Sequence, residues 1–228
     1  MTAHLPTLAI IGGTGALGNA LARRWAGAGY PVVLGSRSKE KAEAFAGEIS
    51  PKDGRPAPRG ADNATAAALG DIVVITVPFA SHGAILEKIR EAVTGKIVVD
   101  ATVPLMPPKV GTVQLPAAGS AAGMTQQALG DRADVVSAFH NVAADKLKAS
   151  GPVDCDVLVC GNKKAARQTV IALVEALGLR GLHAGPIANS AAAEALTSVL
   201  ITINKHYSVS GAGIRITGEL IAPDPGGA

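Results

Sequence analysis

The 228-residue chain has few aromatic residues, little charge of either sign and only two cysteines. Aromatic residues make up 3% and charged residues 17%, and 21 basic against 18 acidic side chains give a formal net charge of +3. Proteins that bind nucleic acid carry a clustered basic surface, and those that bind single strands add aromatic stacking platforms. The basic residues here are scattered along the chain, so the composition argues against a nucleic-acid partner.

The two cysteines, Cys155 and Cys160, are poorly placed to bridge each other. They lie five residues apart on a predicted strand, and this odd spacing sends their side chains to opposite faces. Free cysteine is among the most buried residue types and behaves as a small hydrophobic side chain. The spacing therefore predicts two buried thiols and neither a disulfide nor a metal site.

No apolar run is long enough to cross a membrane. The most apolar late stretch, residues 190–203, contains Glu194 and falls short of the roughly 20 residues that a spanning helix needs. The first residues, MTAHLPTLAIIGG, lack the basic start of a secretory signal and lead directly into a predicted strand. We therefore expect residues 190–203 to form a buried helix, and the protein to be cytoplasmic with no membrane partner.

Apolar β-type runs and helical patterns alternate along the chain, which indicates βαβ units around a mostly parallel sheet. We predict an α/β protein with an N-terminal Rossmann-type, doubly wound parallel sheet in residues 1–144. Residues 145–228 are predicted to form a smaller C-terminal α/β domain that ends in a long apolar helix. The predicted strands cover residues 7–12, 31–35, 71–77, 96–101, 135–139, 156–160 and 180–183. The predicted helices cover residues 15–27, 39–49, 63–69, 81–93, 165–177 and 189–204.

Two stretches are predicted to be irregular. Residues 50–60 (SPKDGRPAPRG) are rich in proline and glycine, which is typical of a surface loop. Residues 104–123 (PLMPPKVGTVQLPAAGSAAG) form a second predicted loop. Long irregular loops inside compact domains are often functional, which makes the second loop a segment of interest.

The segment IGGTGALG carries the spacing G-x-G-x-x-G at Gly13, Gly15 and Gly18, between a predicted strand and a predicted helix. In such a turn Gly13 permits the tight bend, Gly15 lets the backbone approach a pyrophosphate, and Gly18 allows the helix to pack closely on the strand. The helix N-terminus adds free N–H groups and a positive dipole. The spacing alone also occurs in ordinary Gly-rich turns, but its place between strand and helix predicts a dinucleotide site.

The end of the second predicted strand indicates which dinucleotide binds. NAD sites place Asp or Glu about 20 residues after the glycines to hold the ribose 2′-hydroxyl. This chain has Ser36 and Arg37 there, and Lys41 follows in the next predicted helix. A hydroxyl, a planar guanidinium and an ammonium group suit a 2′-phosphate. The segment therefore predicts NADP in preference to NAD.

Loops after the later strands are expected to line the nicotinamide end, because ligands of open α/β sheets bind beyond the carboxyl ends of the strands. His82, on the first turn of a predicted helix, is expected either to touch phosphate or ribose or to cap the helix at the surface. The segments whose apolar, Pro-rich character suits a flat ring are Val77-Pro78-Phe79, Val103-Pro104 and Phe139-His140-Asn141.

A general acid for reducing an ordinary ketone is hard to find in the sequence. The Tyr-x-x-x-Lys pair of short-chain dehydrogenases is missing, because neither tyrosine is followed by lysine at the fourth position. The late apolar helix, where β-hydroxyacid dehydrogenases carry a catalytic lysine, has Glu194 as its only charge. His140 is the remaining candidate acid, with a structural role as the alternative. If the hydride acceptor is itself a cofactor, the enzyme does not need a general acid, because the cofactor ring delocalises the added charge and exchanges protons with water.

With these motifs in place, the chain resembles the NADPH-dependent reductases of coenzyme F420, an 8-hydroxy-5-deazaflavin. The glycine motif is shared by many reductases, whereas Ser-Arg with a following Lys, the AFHN segment and the AGPIANS helix start are more specific. The matching segments follow one another along nearly the whole chain: IGGTGALG, VVLGSRSKEKAE, DIVVITVP, KIVVDATVPL, VVSAFHNVAADKL, DVLVCG, LHAGPIANSAAAEALTSVLITIN and GAGIRITG.

The resemblance implies hydride transfer between nicotinamide C4 and deazaflavin C5, with NADP(H) and coenzyme F420 as the reacting partners. It also implies a homodimer in which the C-terminal domain carries the deazaflavin site and the dimer contacts. Together with the motifs it assigns NADP to Gly13, Thr14, Gly15, Ala16, Leu17, Gly18, Ser36, Arg37, Lys41, Val77, Pro78, His82, Val103 and Ala144. The residues assigned to the deazaflavin are Phe79, Pro104, His140, Asn141, Val142 and Asn189.

Two other functions stay open at the level of sequence. One is an NADPH-dependent imine or ketone reductase of the same fold, in which His140 supplies the proton. The other is a non-catalytic NADPH-sensing module, since Rossmann domains also serve as redox-responsive binding partners. The sequence also leaves the direction of hydride transfer open, because the predicted nucleotide contacts would bind both the oxidised and the reduced form of the nicotinamide cofactor.

Overall fold

The computed structural model describes residues 5–50, 56–149 and 151–221. Within these ranges the chain forms an eight-stranded sheet flanked by helices. The strands are β1 (Leu8–Ile11), β2 (Val32–Ser36), β3 (Arg59–Asp62), β4 (Ile72–Ile75), β5 (Ile97–Asp100), β6 (Asp134–Ser137), β7 (Asp156–Gly161) and β8 (Arg180–His183). The helices are α1 (Ala16–Gly27), α2 (Lys39–Gly47), α3 (Asn63–Leu69), α4 (Phe79–Ile89), α5 (Ala121–Leu129), α6 (Ala144–Lys148), α7 (Lys164–Glu175) and α8 (Ser190–Tyr207).

The strand order is β3-β2-β1-β4-β5-β6-β7-β8, so β1 lies between β2 and β4. Leu8 is aligned with Val32 of β2 and with Ile72 of β4, and the three strands are parallel. The chain runs from β1 outward to β2 and β3 and then returns to the other side of β1. This reversal creates a topological switch point, and ligands of such sheets bind beyond the carboxyl ends of the strands there.

The sheet separates two hydrophobic layers. In one layer Trp25 of α1 is completely buried, packs edge-on against Phe139 with ring centroids 5.7 Å apart, and donates its ring N–H to the carbonyl of Leu173. In the other layer α4 packs Ile85 and Ile89 onto the opposite face of the sheet. Every residue of β1 and β4 is buried, which is why their sequences are continuous apolar runs.

The last two strands extend the sheet beyond β6. β7 pairs antiparallel with β6, and β8 pairs parallel with β7. Arg24 of α1 donates hydrogen bonds to the carbonyls of Leu147 and Leu177 at 2.6 and 2.8 Å, which ties the start of the chain to its later part. The division into domains at residue 144 stays a prediction, and residues 150 and 222–228 of the second predicted domain lie outside the described residues.

The predicted elements are present, with shifted ends in most cases, and α3 and β8 have the predicted bounds. The predicted loop at residues 50–60 is wrong at its end, where β3 begins, and residues 51–55 lie outside the described residues. β3 has the sequence RGAD, in which only Ala61 is buried, so it lacks the apolar pattern of an inner strand. The predicted loop at residues 104–123 ends at α5, which starts where the Ser120 hydroxyl accepts the Gly123 N–H at 2.8 Å.

Both cysteines are free and buried, as predicted, and burial raises the pKa of both thiols. In the described parts of the chain no helix combines the length and apolar character needed to cross a membrane. The predicted late helix is confirmed as α8, which continues three residues beyond the predicted end to Tyr207.

Candidate functional site

A cleft with a volume of about 340 Å³ opens at the carboxyl ends of β1, β2 and β4, where the topology places a ligand. Its walls come from the turn after β1, the start of α2, the start of α3 and the turn between β4 and α4. The described residues that line it are Gly12, Thr14, Gly15, Ser36, Arg37, Ser38, Lys41, Asn63, Thr76, Val77, Pro78, Ser81 and Ile85.

The turn after β1 depends on glycine for both backbone conformation and close packing. Gly12 has a φ of +80°, a left-handed conformation that other residues rarely adopt. A Cβ added to Gly18 would lie 2.5 Å from Thr76 Oγ1 and 2.9 Å from the carbonyl oxygen of Gly12. The close approach predicted for Gly18 is therefore present. Gly13 lies in the same turn, where an added Cβ would be 2.9 Å from the carbonyl oxygen of Ile10, and the positive φ belongs to the preceding Gly12.

The N-terminus of α1 borders the cleft and has the features of an anion-binding helix end. Gly15 is the N-cap residue, and no side chain caps the helix. The first turn of α1 contains no acidic residue, so nothing in that turn offsets the positive end of the helix dipole. Because Gly15 has no side chain, a ligand can approach the backbone closely. This arrangement suits a pyrophosphate.

The side chains after β2 make the other end of the cleft basic. Ser36 ends β2, and its hydroxyl lies 3.5 Å from that of Thr14. Arg37 is exposed beside it, and Lys41 lies in the first turn of α2, whose N-cap Ser38 accepts the Lys41 N–H at 3.2 Å. None of the described residues lining the cleft is a carboxylate. The wall therefore offers donors and positive charge to a phosphate and no carboxylate to hold a ribose diol.

Seven of the residues predicted to bind NADP line this cleft, namely Thr14, Gly15, Ser36, Arg37, Lys41, Val77 and Pro78. Gly13 and Gly18 are buried beneath it, and Ala16 and Leu17 lie on the first turn of α1. Val103 follows β5, and Ala144 is the first residue of α6. Contacts of NADP with these residues stay predictions.

Sequence reasoning did not identify several residues of the cleft wall. Asn63 starts α3, and its side-chain oxygen accepts the Gly12 N–H at 3.4 Å. Thr76 follows β4, and its hydroxyl donates to the carbonyl of Ile11 at 2.9 Å. The position directly after a strand could have identified Thr76, but β3 has no apolar pattern and left Asn63 without such a signal. The lining residues absent from the prediction are Gly12, Ser38, Asn63, Thr76, Ser81 and Ile85.

His82 lies below the cleft and forms part of a buried hydrogen-bonded group. Its side chain is completely buried, so it is no surface helix cap, and its Nε2 lies 2.8 Å from Asp100 Oδ2. The Thr125 hydroxyl donates to the same oxygen at 2.5 Å, and the backbone N–H of Thr102 donates to Asp100 Oδ1 at 2.9 Å. These bonds hold the pKa of the Asp100 carboxyl below its usual value, although burial opposes them. The His82 ring is therefore held in position by the Asp100 carboxylate.

A second, shallower groove of about 160 Å³ lies between the segment after β6 and helix α8. Phe139 leads into this segment with a φ of +70°, which is a strained backbone conformation for a bulky residue and is typical of functional sites. The Asn141 side chain donates to the carbonyl of Ala193 on α8 at 2.9 Å, which holds the two walls together. The lining residues are His140, Asn141, Val142, Ala143, Thr197, Leu200, Ile201, Asn204 and Ala212.

This groove contains three of the six residues predicted for the second substrate, namely His140, Asn141 and Val142. The structure places the other three elsewhere. Phe79 starts α4 next to Pro78 of the nucleotide cleft, and Pro104 is buried after β5. Asn189 is the exposed N-cap of α8, and its side chain donates to the carbonyl of Ala184 at 2.8 Å. Substrate contacts at these positions stay predictions.

Glu194 lies behind His140 and is the main functional candidate that sequence reasoning did not assign to the site. Its carboxylate is buried, and its two oxygens accept the backbone N–H groups of Ala121 and Ala122 at 2.6 and 3.1 Å. His140 Nε2 lies 3.9 Å from Glu194 Oε1. Burial raises the pKa of Glu194 to about 7 and lowers that of His140 to about 4. At neutral pH the imidazole is therefore neutral, and the carboxyl is the group of this pair that can hold a proton.

The switch-point cleft, the uncapped glycine-rich helix start and the basic strand end define a Rossmann-type dinucleotide-binding protein. A family model described as NADP oxidoreductase, coenzyme F420-dependent, matches residues 7–104. The F420-dependent NADP reductase of Methanocaldococcus jannaschii is 40% identical over 219 residues, which are 92% of this chain and 97% of that protein. The chain belongs to the family of F420-dependent NADP reductases, which are oxidoreductases.

Solved structures agree with the fold. The crystal structure of a candidate F420-dependent NADP reductase from Arthrobacter sp. FB24 superposes with a TM-score of 0.79 at 28% identity, covering 93% of this chain and all of that one. An imine reductase from Myxococcus stipitatus shares the fold with a TM-score of 0.63 at 21% identity, over 89% of this chain and 62% of that one.

Proposed function

We propose that this chain transfers hydride between NADP(H) and the deazaflavin coenzyme F420. The observation that carries the proposal is the basic cleft without a carboxylate, formed by Ser36, Arg37 and Lys41, in a chain that belongs to the F420-dependent NADP reductase family. A 2′-phosphate selects NADP at that end through charge-assisted hydrogen bonds. The N-terminus of α1 receives the pyrophosphate.

The deazaflavin is assigned to the groove between the segment after β6 and α8. Its walls combine apolar side chains, among them Val142, Leu200 and Ile201, with the polar residues His140, Asn141, Thr197 and Asn204. Such a surface suits a flat ring that stacks on the nicotinamide. Hydride transfer between two stacked rings depends mainly on how the rings are positioned, so no single side chain has to act as a nucleophile.

The direct test mixes the purified protein with NADPH and oxidised coenzyme F420 and follows the visible absorption band of the deazaflavin. We expect the band to bleach with multiple turnovers. If NADPH binds and the band stays unchanged, the acceptor assignment is wrong. Consumption of NADPH with a cyclic imine or a ketone would then support the imine or ketone reductase. The absence of oxidation with every acceptor would support an NADPH sensor.

The chain's own residues weigh against an imine or ketone reductase in which His140 alone supplies the proton. Burial lowers the pKa of His140 to about 4, so the neutral imidazole is a weak proton donor at pH 7. Under the proposed function, His140→Asn leaves NADPH binding intact. Under the alternative, the same substitution abolishes imine turnover at every pH.

We also propose that the protein is a homodimer, with the end of α8 and the residues after it as the contact surface. This part of the chain exposes large apolar side chains, which soluble monomers rarely group together. These side chains are Val199, Tyr207, Val209, Ile216, Leu220 and Ile221. Sedimentation equilibrium of the wild-type protein and of Tyr207→Lys tests this: a dimer that dissociates in the variant supports it, and a wild-type monomer contradicts it.

A cytoplasmic location is proposed from the substrates, because NADP(H) is an intracellular cofactor. The two unpaired, buried cysteines suit a reducing compartment. Fractionation of the host cells followed by immunodetection checks the location. Recovery of the protein in the membrane pellet after a high-salt wash would contradict it.

A further inference from the structure

Four ionisable side chains, His82, Asp100, His140 and Glu194, are buried together where β5, the end of β6, α4 and α8 meet. Burying ionisable groups is costly unless they are paired or change their protonation state. Such clusters occur preferentially at functional sites. The cluster therefore needs an explanation, and its two halves differ in how completely they are paired.

The half formed by His82 and Asp100 is the more completely paired one, although His82 Nδ1 has no hydrogen-bond partner among the described residues. The Asp100 carboxylate accepts bonds from Thr125, from the Thr102 N–H and from His82, and His82 Nε2 is engaged in return. A proton on His82 Nε2 has a carboxylate oxygen as its neighbour at 2.8 Å. The hydrogen bonds lower the pKa of the Asp100 carboxyl against the opposing effect of burial, so Asp100 provides a negative charge beside the other half.

The half formed by His140 and Glu194 is open. Among the described residues, neither ring nitrogen of His140 has a hydrogen-bond partner, although both nitrogens are buried. The Glu194 oxygens accept two backbone N–H groups at the start of α5, which leaves an acceptor direction of Oε1 free. The separation of 3.9 Å between His140 Nε2 and Glu194 Oε1 is about 1 Å longer than a hydrogen bond. Catalytic contacts are often this long before the reactants bind and then shorten.

The pKa of Glu194 is raised to about 7, so a substantial fraction of its carboxyl groups is protonated at neutral pH. Burial is the main cause, and the negative charge of Asp100 adds to it, while the two backbone N–H groups and His82 act in the opposite direction. Burial likewise favours the neutral form of His140, against the attraction of Asp100. Asp100 and His82 are the charged groups that face the pair from β5 and α4, and the Cys160 thiol of β7 is a further titratable group that interacts electrostatically with Glu194. His140 is also one of the residues that line the groove, although both of its ring nitrogens are buried.

We propose that Glu194 and His140 form a proton relay that supplies the proton taken up when the deazaflavin is reduced. The inference rests on the proposed function. In the hydride step, the C4–H bond of NADPH breaks with its electron pair and a C–H bond forms at deazaflavin C5. The reduced ring carries one added negative charge and takes one proton at a ring nitrogen. His140 releases that proton from Nδ1 while Nε2 receives the proton of Glu194, and solvent later reprotonates the carboxyl. In the reverse direction the same atoms accept the proton.

The test compares Glu194→Gln with Ser190→Ala. Ser190 also joins α8 to α5, through a 2.8 Å contact with the Ser120 hydroxyl, but it carries no titratable group. We expect Glu194→Gln to lower kcat for F420 reduction about 100-fold, which is typical of losing a positioned acid, with unchanged affinity for NADPH. Wild type and Ser190→Ala should lose F420 reduction as the pH rises through about 7, where the Glu194 carboxyl ionises, and F420H2 oxidation should rise over the same range.

His140→Asn provides a second variant, because it interrupts the relay while Glu194 still binds the start of α5. It should remove the same pH dependence. Wild-type rates and pH profiles in both variants would overturn the relay. Changes in melting temperature with unchanged pH profiles would assign Glu194 a purely structural role and would overturn it as well.

An infrared titration of the free protein gives a measurement that needs no coenzyme. We expect a protonated carboxyl C=O band in the wild type that disappears as the pH passes about 7 and is absent in Glu194→Gln. Loss of this band only near pH 4.5, the ordinary value for a glutamate, would overturn the relay. Because the band does not depend on F420, this failure is distinct from failure of the proposed function, which the bleaching experiment reports on its own.

Discussion

The nucleotide cleft and the cluster behind the second groove are built in opposite ways. The cleft is made of backbone turns and exposed charges, such as Gly12, Arg37 and Lys41, drawn from a few short segments. The cluster consists of buried side chains brought together over long separations, and the bond from Ala121 N–H to Glu194 joins residues 73 positions apart. The first region presents positive charge to solvent, whereas the second keeps ionisable groups away from solvent. This difference explains why the nucleotide cleft could be predicted from the sequence and the buried cluster could not.

We expect the largest effect from Gly18→Val, which should disrupt the turn that forms the nucleotide cleft. The new Cβ meets Thr76 Oγ1 and the backbone of the β1 turn, so we expect a loss of about 3 kcal/mol in the free energy of unfolding and loss of NADPH binding. Urea unfolding and NADPH fluorescence measure both.

Gly27→Ala is the matched control, because a Cβ there meets nothing within 4 Å. Ala favours the helix, so this variant should be equally stable or more stable by up to about 1 kcal/mol. If the two variants were equally destabilised, the close packing of Gly18 would not explain its role.

The pH dependence of the free energy of unfolding tests the buried cluster. The folded pKa of Glu194, about 7, lies above its ordinary value of 4.5, so its contribution to stability is lost as the pH rises through 7. The folded pKa of His140, about 4, lies below its ordinary value of 6.5, so its contribution is lost as the pH falls from 6.5 through 4. The two slopes oppose each other between pH 4.5 and 6.5, and the wild type should show a plateau there.

Removing one partner should reveal the slope of the other. Between pH 5 and pH 8 we expect Glu194→Gln to gain about 2 kcal/mol in the free energy of unfolding and His140→Asn to lose about 2 kcal/mol. Urea unfolding at the two pH values measures this. Slopes of the same sign in both variants would contradict the opposed pKa shifts.

A moderate effect is expected at the exposed end of the cleft. Arg37→Gln removes a planar donor from the phosphate wall, so affinity for NADPH should fall at least tenfold while affinity for NADH changes little. The control is Arg23→Gln, because Arg23 lies on α1 and pairs with Glu48 outside the cleft. An unchanged ratio of NADPH to NADH affinity in Arg37→Gln would refute the assignment of the 2′-phosphate.

We expect the smallest effects from two helix-cap variants, which distinguish a loss of helix stability from a loss of NADPH affinity. Ser38→Ala removes the cap of α2, and Asp62→Ala removes the cap of α3, whose carboxylate accepts the Thr65 N–H at 3.0 Å. Each should cost about 1 kcal/mol of stability. Only Ser38→Ala should also weaken NADPH binding, because Ser38 and Lys41 line the cleft and Asp62 does not. Titrations with NADPH decide the point, and equal losses of affinity would contradict it.

Local patterns were sufficient to predict most of the fold and the nucleotide end of the site. Apolar strands alternating with helices, the glycine spacing and Ser36-Arg37 are signals contained within a few residues each. Edge strand β3 and helix α5 were missed because RGAD has no apolar run and AAGMTQQAL has no clear helical period. Asn63 was missed with them, since its place in the cleft depends on where β3 ends.

Glu194 shows the limit of local reasoning most clearly. The sequence identifies it as the one charge within residues 189–204, yet nothing nearby in the sequence indicates its partners. Its partners are backbone groups of α5 and the ring of His140, on elements that are distant along the chain. Its protonation depends on burial, which only the packing of α8 against α5 creates.

The sequence by itself determined the α/β class, the dinucleotide turn, the preference for phosphate over a ribose diol, and the buried character of both cysteines. These properties follow from backbone conformation, hydrophobic periodicity and the charge of neighbouring residues, all of which act over short distances. The tertiary structure decided which residue takes the left-handed turn, which side chains from α3, from the turn after β4 and from α4 complete the cleft, and that His140 and Glu194 are buried side by side. Those outcomes depend on desolvation and on contacts between distant segments, and both exist only in the folded chain.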